Sequence, residues 1–129
     1  MLDSDTCIDV MRGRSAATLG RLERTGRDEV AVSAIVVAEL WTGISKSDDQ
    51  ERSRKAVTAF LAFVTILDWP GEAGALYGEI RAELERAGRS IGAMDLLIAA
   101  HAVHEKATLV TRNHSEFRRV SGLKVVSWT

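Results

Sequence analysis

Gly92-Ala93-Met94-Asp95-Leu96-Leu97-Ile98-Ala99-Ala100 is the stretch that decides how this chain is read. A helix built from it is apolar almost all round, and such a helix belongs inside a protein. It carries one carboxylate, Asp95. The positions a helical partner would occupy hold Ile91, Gly92, Ile98 and Ala99, none of them a cation. A buried carboxylate with no local partner calls for a non-local cation or a bound metal.

Two further acids share that setting. Ser33 is a good N-cap for an apolar helix over residues 34–41. Glu39 sits in that helix with Ile35, Val36, Thr42 and Gly43 as its helical neighbours, again without a cation. At the amino end, residues 1–5 read as the end of a first strand, with Asp3 at its carboxyl edge. Residues 29–33, 65–67, 108–111 and 124–128 supply four more strands, rich in β-branched residues. Between them lie helical segments. Residues 7–11 form a turn, and 14–24 a weak helix capped by Ser15. Ser47-Asp48-Asp49 opens a helix whose Val57, Phe60, Leu61 and Val64 share one face. Pro70 starts another, which ends at Gly88. Residues 113–118 make a short turn or helix.

Strands alternating with helices predict one α/β domain over residues 1–129. Its core is a central parallel sheet of about five strands, flanked by helices on both faces. Ligands of such sheets bind beyond the carboxyl ends of the strands. Asp3 and Asn113 follow strands directly, and Glu39 lies on the helix after one. Asp95 reaches the same rim if its helix amino terminus points there.

Composition narrows the function classes. Hydrophobic residues make up 46% and charged residues 27%, a folded balance rather than a disordered one. The net charge of -1 gives no global field for a nucleic acid, so such a partner needs a local basic patch. The single Cys7 excludes an intramolecular disulfide. No apolar run is long enough to span a bilayer, and the amino terminus does not read as a signal peptide. The expectation is a soluble cytoplasmic protein.

Carboxylates gathered without cations repel each other, and a hard divalent cation relieves this. Mg²⁺ takes oxygen ligands, few of them from protein, and keeps waters that a phosphate displaces. Four motifs then carry a resemblance. They are Leu2-Asp3-Ser4-Asp5-Thr6-Cys7-Ile8, Ser33-Ala34-Ile35 with Ala38-Glu39-Leu40, Ile91-Gly92 with residues 94–100, and Leu109-Val110-Thr111-Arg112-Asn113 with Glu116-Phe117. In this order and spacing they resemble PIN-domain ribonucleases, VapC toxins of toxin–antitoxin pairs above all. The resemblance implies a PIN-like fold and an endoribonuclease dependent on Mg²⁺ or Mn²⁺. It implies a toxin homodimer neutralised by a cognate VapB-type antitoxin in a heteromeric assembly.

By position, Asp3, Glu39 and Asp95 match the family's metal-binding acids, and Asn113 matches a place often held by a fourth Asp. An amide adds no charge there, which argues against a second tightly held metal. Glu116 is close enough in sequence to substitute, but reads as a partner of its own helix dipole. Ser4 and Thr111 resemble the hydroxyl residues that orient the ligands. Arg12, Arg14, Arg112, Arg118 and Arg119 lie near the rim and are candidates for RNA phosphates.

Other residues read as ordinary. Asp5 is a helix cap, Asp9 a solvated helix residue, and Cys7 a buried structural thiol. His101, His104 and His114 are helix surface. Trp41 and Ile44 fit either the core or an antitoxin groove. Two other functions also fit an acidic pocket. One is a receiver-like signalling domain, for which Asp68 would be the acceptor. The other is a non-catalytic PIN-like binding module.

Overall fold

Asp3 sets the start of the fold. Its backbone is extended, and its carboxylate accepts a hydrogen bond from the Ser4 amide at 2.8 Å. Helix α1 (Ser4–Met11) therefore begins at once, and Asp3, not Asp5, is its cap. The expected first strand shrinks to a single parallel bridge between Leu2 and Val110.

The computed structural model describes residues 1–128. After α1 come α2 (Ala16–Thr25), a 3₁₀ turn (Arg27–Glu29), β1 (Ala31–Ser33), α3 (Ala34–Ser45) and α4 (Gln50–Leu61). Then follow β2 (Thr65–Leu67), α5 (Ala73–Arg86), α6 (Ala93–His104), β3 (Leu109–Val110), α7 (His114–Phe117) and β4 (Val125–Val126). The fold is α/β, but the expected five-stranded sheet is not what forms. β1 pairs with β2 and β3 with β4, both parallel, as two separate two-stranded pieces. The backbone of residues 1–3 lies between them. Leu2 N–H donates to Ala31 O at 2.9 Å, Asp3 N–H to Val110 O at 2.9 Å, and Val110 N–H to Met1 O at 2.8 Å. β1 is short because helix α3 starts directly at its carboxyl end. Ser33 closes β1 and caps α3 through the Ile35 amide at 3.1 Å.

The apolar stretch forms α6 as expected, with Gly92 at its amino end. Leu96, Ile98, Ala99, Ala100 and Ala102 are buried, while Ala93 and Met94 at its start and His104 at its end are exposed. The core is built on Leu2, Val32, Val36, Ile98, Leu109 and Phe117, all inaccessible to solvent. Gly88 adopts φ +66° just past α5, a left-handed conformation that suits glycine at a helix end. Helix α3 packs on α1, α4 and α6. Cys7 is fully buried, as a structural thiol should be, and burial raises its pKa well above the usual value. Among the described residues, no helix is long and apolar enough to cross a membrane.

Candidate active site

The site grows from Asp3, which is 5% exposed. Its second oxygen accepts a hydrogen bond from the Thr111 hydroxyl at 2.8 Å. Thr111, at the end of β3, is fully buried and also accepts from the Asn113 amide at 3.0 Å. The start of α1 and the end of β3 are thus locked to one carboxylate. Burial raises the Asp3 pKa. The Thr111 hydrogen bond pulls it back, the Asp5 charge raises it again, and the Ser4 amide lowers it.

Glu39 enters from α3. Burial raises its pKa most, then the charge on Asp3; a hydrogen bond from Ser4 opposes them, and Asp5 adds a smaller upward push. Its Oε1 is buried without a hydrogen-bond partner among the described residues. Asp95 enters from the first turn of α6 and is half-buried. Its pKa is pushed up to about 7, first by burial, then by Asp3, by a hydrogen bond with Glu116, by the Glu116 charge and by Glu39. Two carboxyl groups can share a hydrogen bond only if one holds a proton.

The three predicted acids therefore act on one another, and Glu116 joins them. The reading of Glu116 as a partner of its own helix dipole missed this. The only signal in the sequence was its place three residues beyond Asn113. The Asn113 amide nitrogen donates to Glu116 Oε2 at 3.1 Å, so Asn113 holds the fourth acid in place. Ser4 and Thr111 touch Glu39 and Asp3, as expected of residues that orient the acids. Asp5 accepts from the Arg112 amide at 3.0 Å and ties the loop after β3 to α1.

Asp9 and His101 differ from their sequence reading. Asp9 is not solvated: it is 4% exposed and takes Arg112 Nε at 2.8 Å and Arg14 Nη1 at 3.7 Å. Those two arginines, expected to face RNA, are thereby committed to Asp9. Arg12 and Arg118 stay exposed with no carboxylate partner among the described residues. His101 is not helix surface but wholly buried, with Nδ1 2.8 Å from Ser33 Oγ. Burial lowers its pKa, against the Glu105 charge, at the α3–α6 contact. Its bond to the α3 cap ties the helix of Glu39 to the helix of Asp95. His104 is exposed as expected, and His114 is partly buried. Trp41 proves largely exposed and Ile44 buried. Asp68 is exposed and takes no part in the acidic centre.

These acids suit a hard cation. Among the described residues, no three His, Cys, Asp or Glu side chains form a ready ligand cage. Mg²⁺ does not need one, since it is commonly held by one or two carboxylates and its own waters. The orphaned Glu39 Oε1 and the raised Asp95 pKa mark where positive charge is wanted. Asp3, Glu39 and Asp95 are the residues that could hold it, with Glu116 beside them.

The fold agrees with known proteins. The PIN domain family model matches residues 1–123. Ribonuclease VapC2 of Rickettsia felis is 40% identical over 129 residues, covering 99% of this chain and 96% of its own. The tRNA(fMet)-specific endonuclease VapC of Shigella flexneri is 34% identical, covering 100% of this chain and 97% of its own. Among solved structures, VapBC2 from Rickettsia felis bound to a promoter DNA fragment superposes with a TM-score of 0.94 at 38% identity, over 100% of this chain and 98% of that one. DNA-bound VapBC from Salmonella typhimurium gives 0.95 at 33% identity, over 100% and 97%. The chain belongs to the PIN domain family and, within it, to the VapC ribonucleases.

Proposed function

We propose that this chain is an endoribonuclease toxin that hydrolyses RNA phosphodiester bonds with Mg²⁺ or Mn²⁺ and is silenced by a VapB-type antitoxin. The observation that carries the reading is the acidic centre itself. Burial and the Asp3 charge raise the proton affinity of both Glu39 and Asp95, and Glu116 and Glu39 add to the rise at Asp95. Full-length likeness to ribonucleases supports it.

Asp3, Glu39 and Asp95 are the side chains that would hold the ion, together with its own waters. Thr111 and Ser4 keep Asp3 and Glu39 aimed at it, and Asn113 steadies Glu116. A bound divalent ion would polarise a phosphoryl oxygen and lower the pKa of a water for in-line attack. Glu116, half-buried and hydrogen-bonded to Asp95, is placed to take up a proton from the site. The residues 1–129 act as one PIN-like domain with helices on both faces of its parallel layer. It works in the cytoplasm as a homodimer joined to its antitoxin. The Shigella relative's name makes tRNA the first substrate to try.

Expression without antitoxin tests the reading. Growth should stop, and Asp3→Ala, Glu39→Ala or Asp95→Ala should each restore it at equal protein level. Co-expression of the open reading frame beside the gene should also restore it. Three variants as toxic as wild type would mean that the acidic centre is not the site.

A further inference from the structure

Resting on the ribonuclease reading, we propose that the cleft between α1, α3 and α4 is the track along which the RNA backbone reaches the acidic centre, with Arg12, Lys46 and Arg52 taking its phosphates. The cleft has a volume of about 690 Å³, and Glu39 forms part of its wall. It is therefore continuous with the site. Arg12 follows α1, Lys46 follows α3, and Arg52 lies in the first turn of α4. Three separate elements thus bring a cation to one cleft.

Their convergence on one cleft sets these three apart from other unpaired cations such as Arg118. All are exposed, and among the described residues none pairs with a carboxylate. Arg14, Arg54, Arg81 and Arg112 are each committed to an Asp or Glu. In a chain of net charge -1, three free cations around one cleft form the local basic patch that a polyanion needs. The acids at the start of α4 do not cancel it. Asp49 is spent capping the Arg52 amide at 3.1 Å, and Glu51 is paired with Arg54 at 3.2 Å. Neither lines the cleft. Phosphate contacts of this kind fix the register of a nucleic acid without reading its bases. They would lead the backbone to Glu39 without defining the sequence that is cut. Gly43 lies on the α3 wall, and a Cβ there would meet nothing within 4 Å. That position therefore has room for a Cβ.

The test measures binding and cutting on the full-length protein. A fluorescein-labelled 2′-O-methyl RNA is titrated in EDTA at several salt concentrations, and Michaelis kinetics on unmodified RNA are run in Mn²⁺. Arg12→Ala, Lys46→Ala and Arg52→Ala should each weaken binding by roughly three- to tenfold and reduce the salt slope by about 0.7. KM should rise while kcat holds. Gly43→Glu should weaken binding and Gly43→Ala should not, while Arg54→Ala serves as the neutral control. Wild-type binding, salt slope and KM in all three cation variants would overturn the proposal. If those variants also lost the antitoxin, the cleft would belong to the protein partner instead. A wild-type protein that neither binds nor cuts RNA would overturn the ribonuclease reading, and this inference with it.

Discussion

Replacing Asp95 by Asn keeps the shape of the side chain and removes one charge from the acidic centre. In the folded protein the Asp95 pKa is pushed from 3.8 up to about 7. A shift of roughly three units corresponds to an upper bound of about 4 kcal/mol. The group is half-buried, and solvent screening reduces this to on the order of 1–2 kcal/mol. The change also forfeits a charge at the amino end of α6, worth about 0.3–1 kcal/mol. The metal-free variant should therefore be more stable than metal-free wild type at neutral pH by about 1 kcal/mol, or about 3–5 °C in Tm for a chain of this size. The sign follows from linkage. A carboxyl whose folded pKa is raised binds more protons folded than unfolded between 3.8 and about 7, so stability falls as pH rises through that window. Asp3 and Glu39, shifted the same way, add to the slope. Thermal melts in EDTA from pH 4 to pH 8 should show wild type losing stability with rising pH and Asp95→Asn losing less. Saturating Mn²⁺ should raise the wild-type Tm, because the ion binds only the folded site. It should raise the variant's Tm far less. A lower Tm for the variant in EDTA at neutral pH, with an unchanged response to Mn²⁺, would refute the reasoning and leave Asp95 as a helix-end residue.

Other perturbations have different signs. Asn113→Asp loses the hydrogen bond to Glu116 and adds a like charge, so the metal-free protein should lose about 1 kcal/mol in urea melts. The same variant should bind Mn²⁺ more tightly by titration calorimetry. His101→Ala empties a buried site and frees the α3 cap, and should cost about 2–4 kcal/mol in denaturant. Hydrogen exchange should quicken first at the amino end of α3. Asp9→Asn leaves Arg112 and Arg14 without their anion and should cost about 1–3 kcal/mol, less in high salt, without abolishing Mn²⁺ binding.

The sequence revealed the acids most clearly where charge and surroundings disagree. Asp95 and Glu39 stood out because apolar helices offered them no cation, and the structure joins both electrostatically to Asp3. The helices were legible through caps such as Ser15, Ser33 and Asp49, each of which does cap its helix. What escaped was whatever depends on partners far along the chain. Asp9 reads as solvated until the loop after β3 brings Arg112 over it. His101 reads as surface until Ser33 meets its ring. The first strand was lost for a local reason: Asp3 caps a helix at the point where strand geometry would have continued. Glu116 was discounted because a helix-start acid has an ordinary use, and only the fold brings it against Asp95.

Cleavage of an end-labelled RNA by the purified chain bears most directly on the central claim. After EDTA treatment the protein should be silent, and Mg²⁺ or Mn²⁺ should restore cutting. Under the same conditions Asp3→Asn, whose one side-chain oxygen can still accept from the Ser4 amide and whose fold is checked by circular dichroism, should stay silent at any Mn²⁺ concentration that saturates wild type. RNA cutting that persists in EDTA, or that Asp3→Asn carries out at the wild-type rate, would contradict the account.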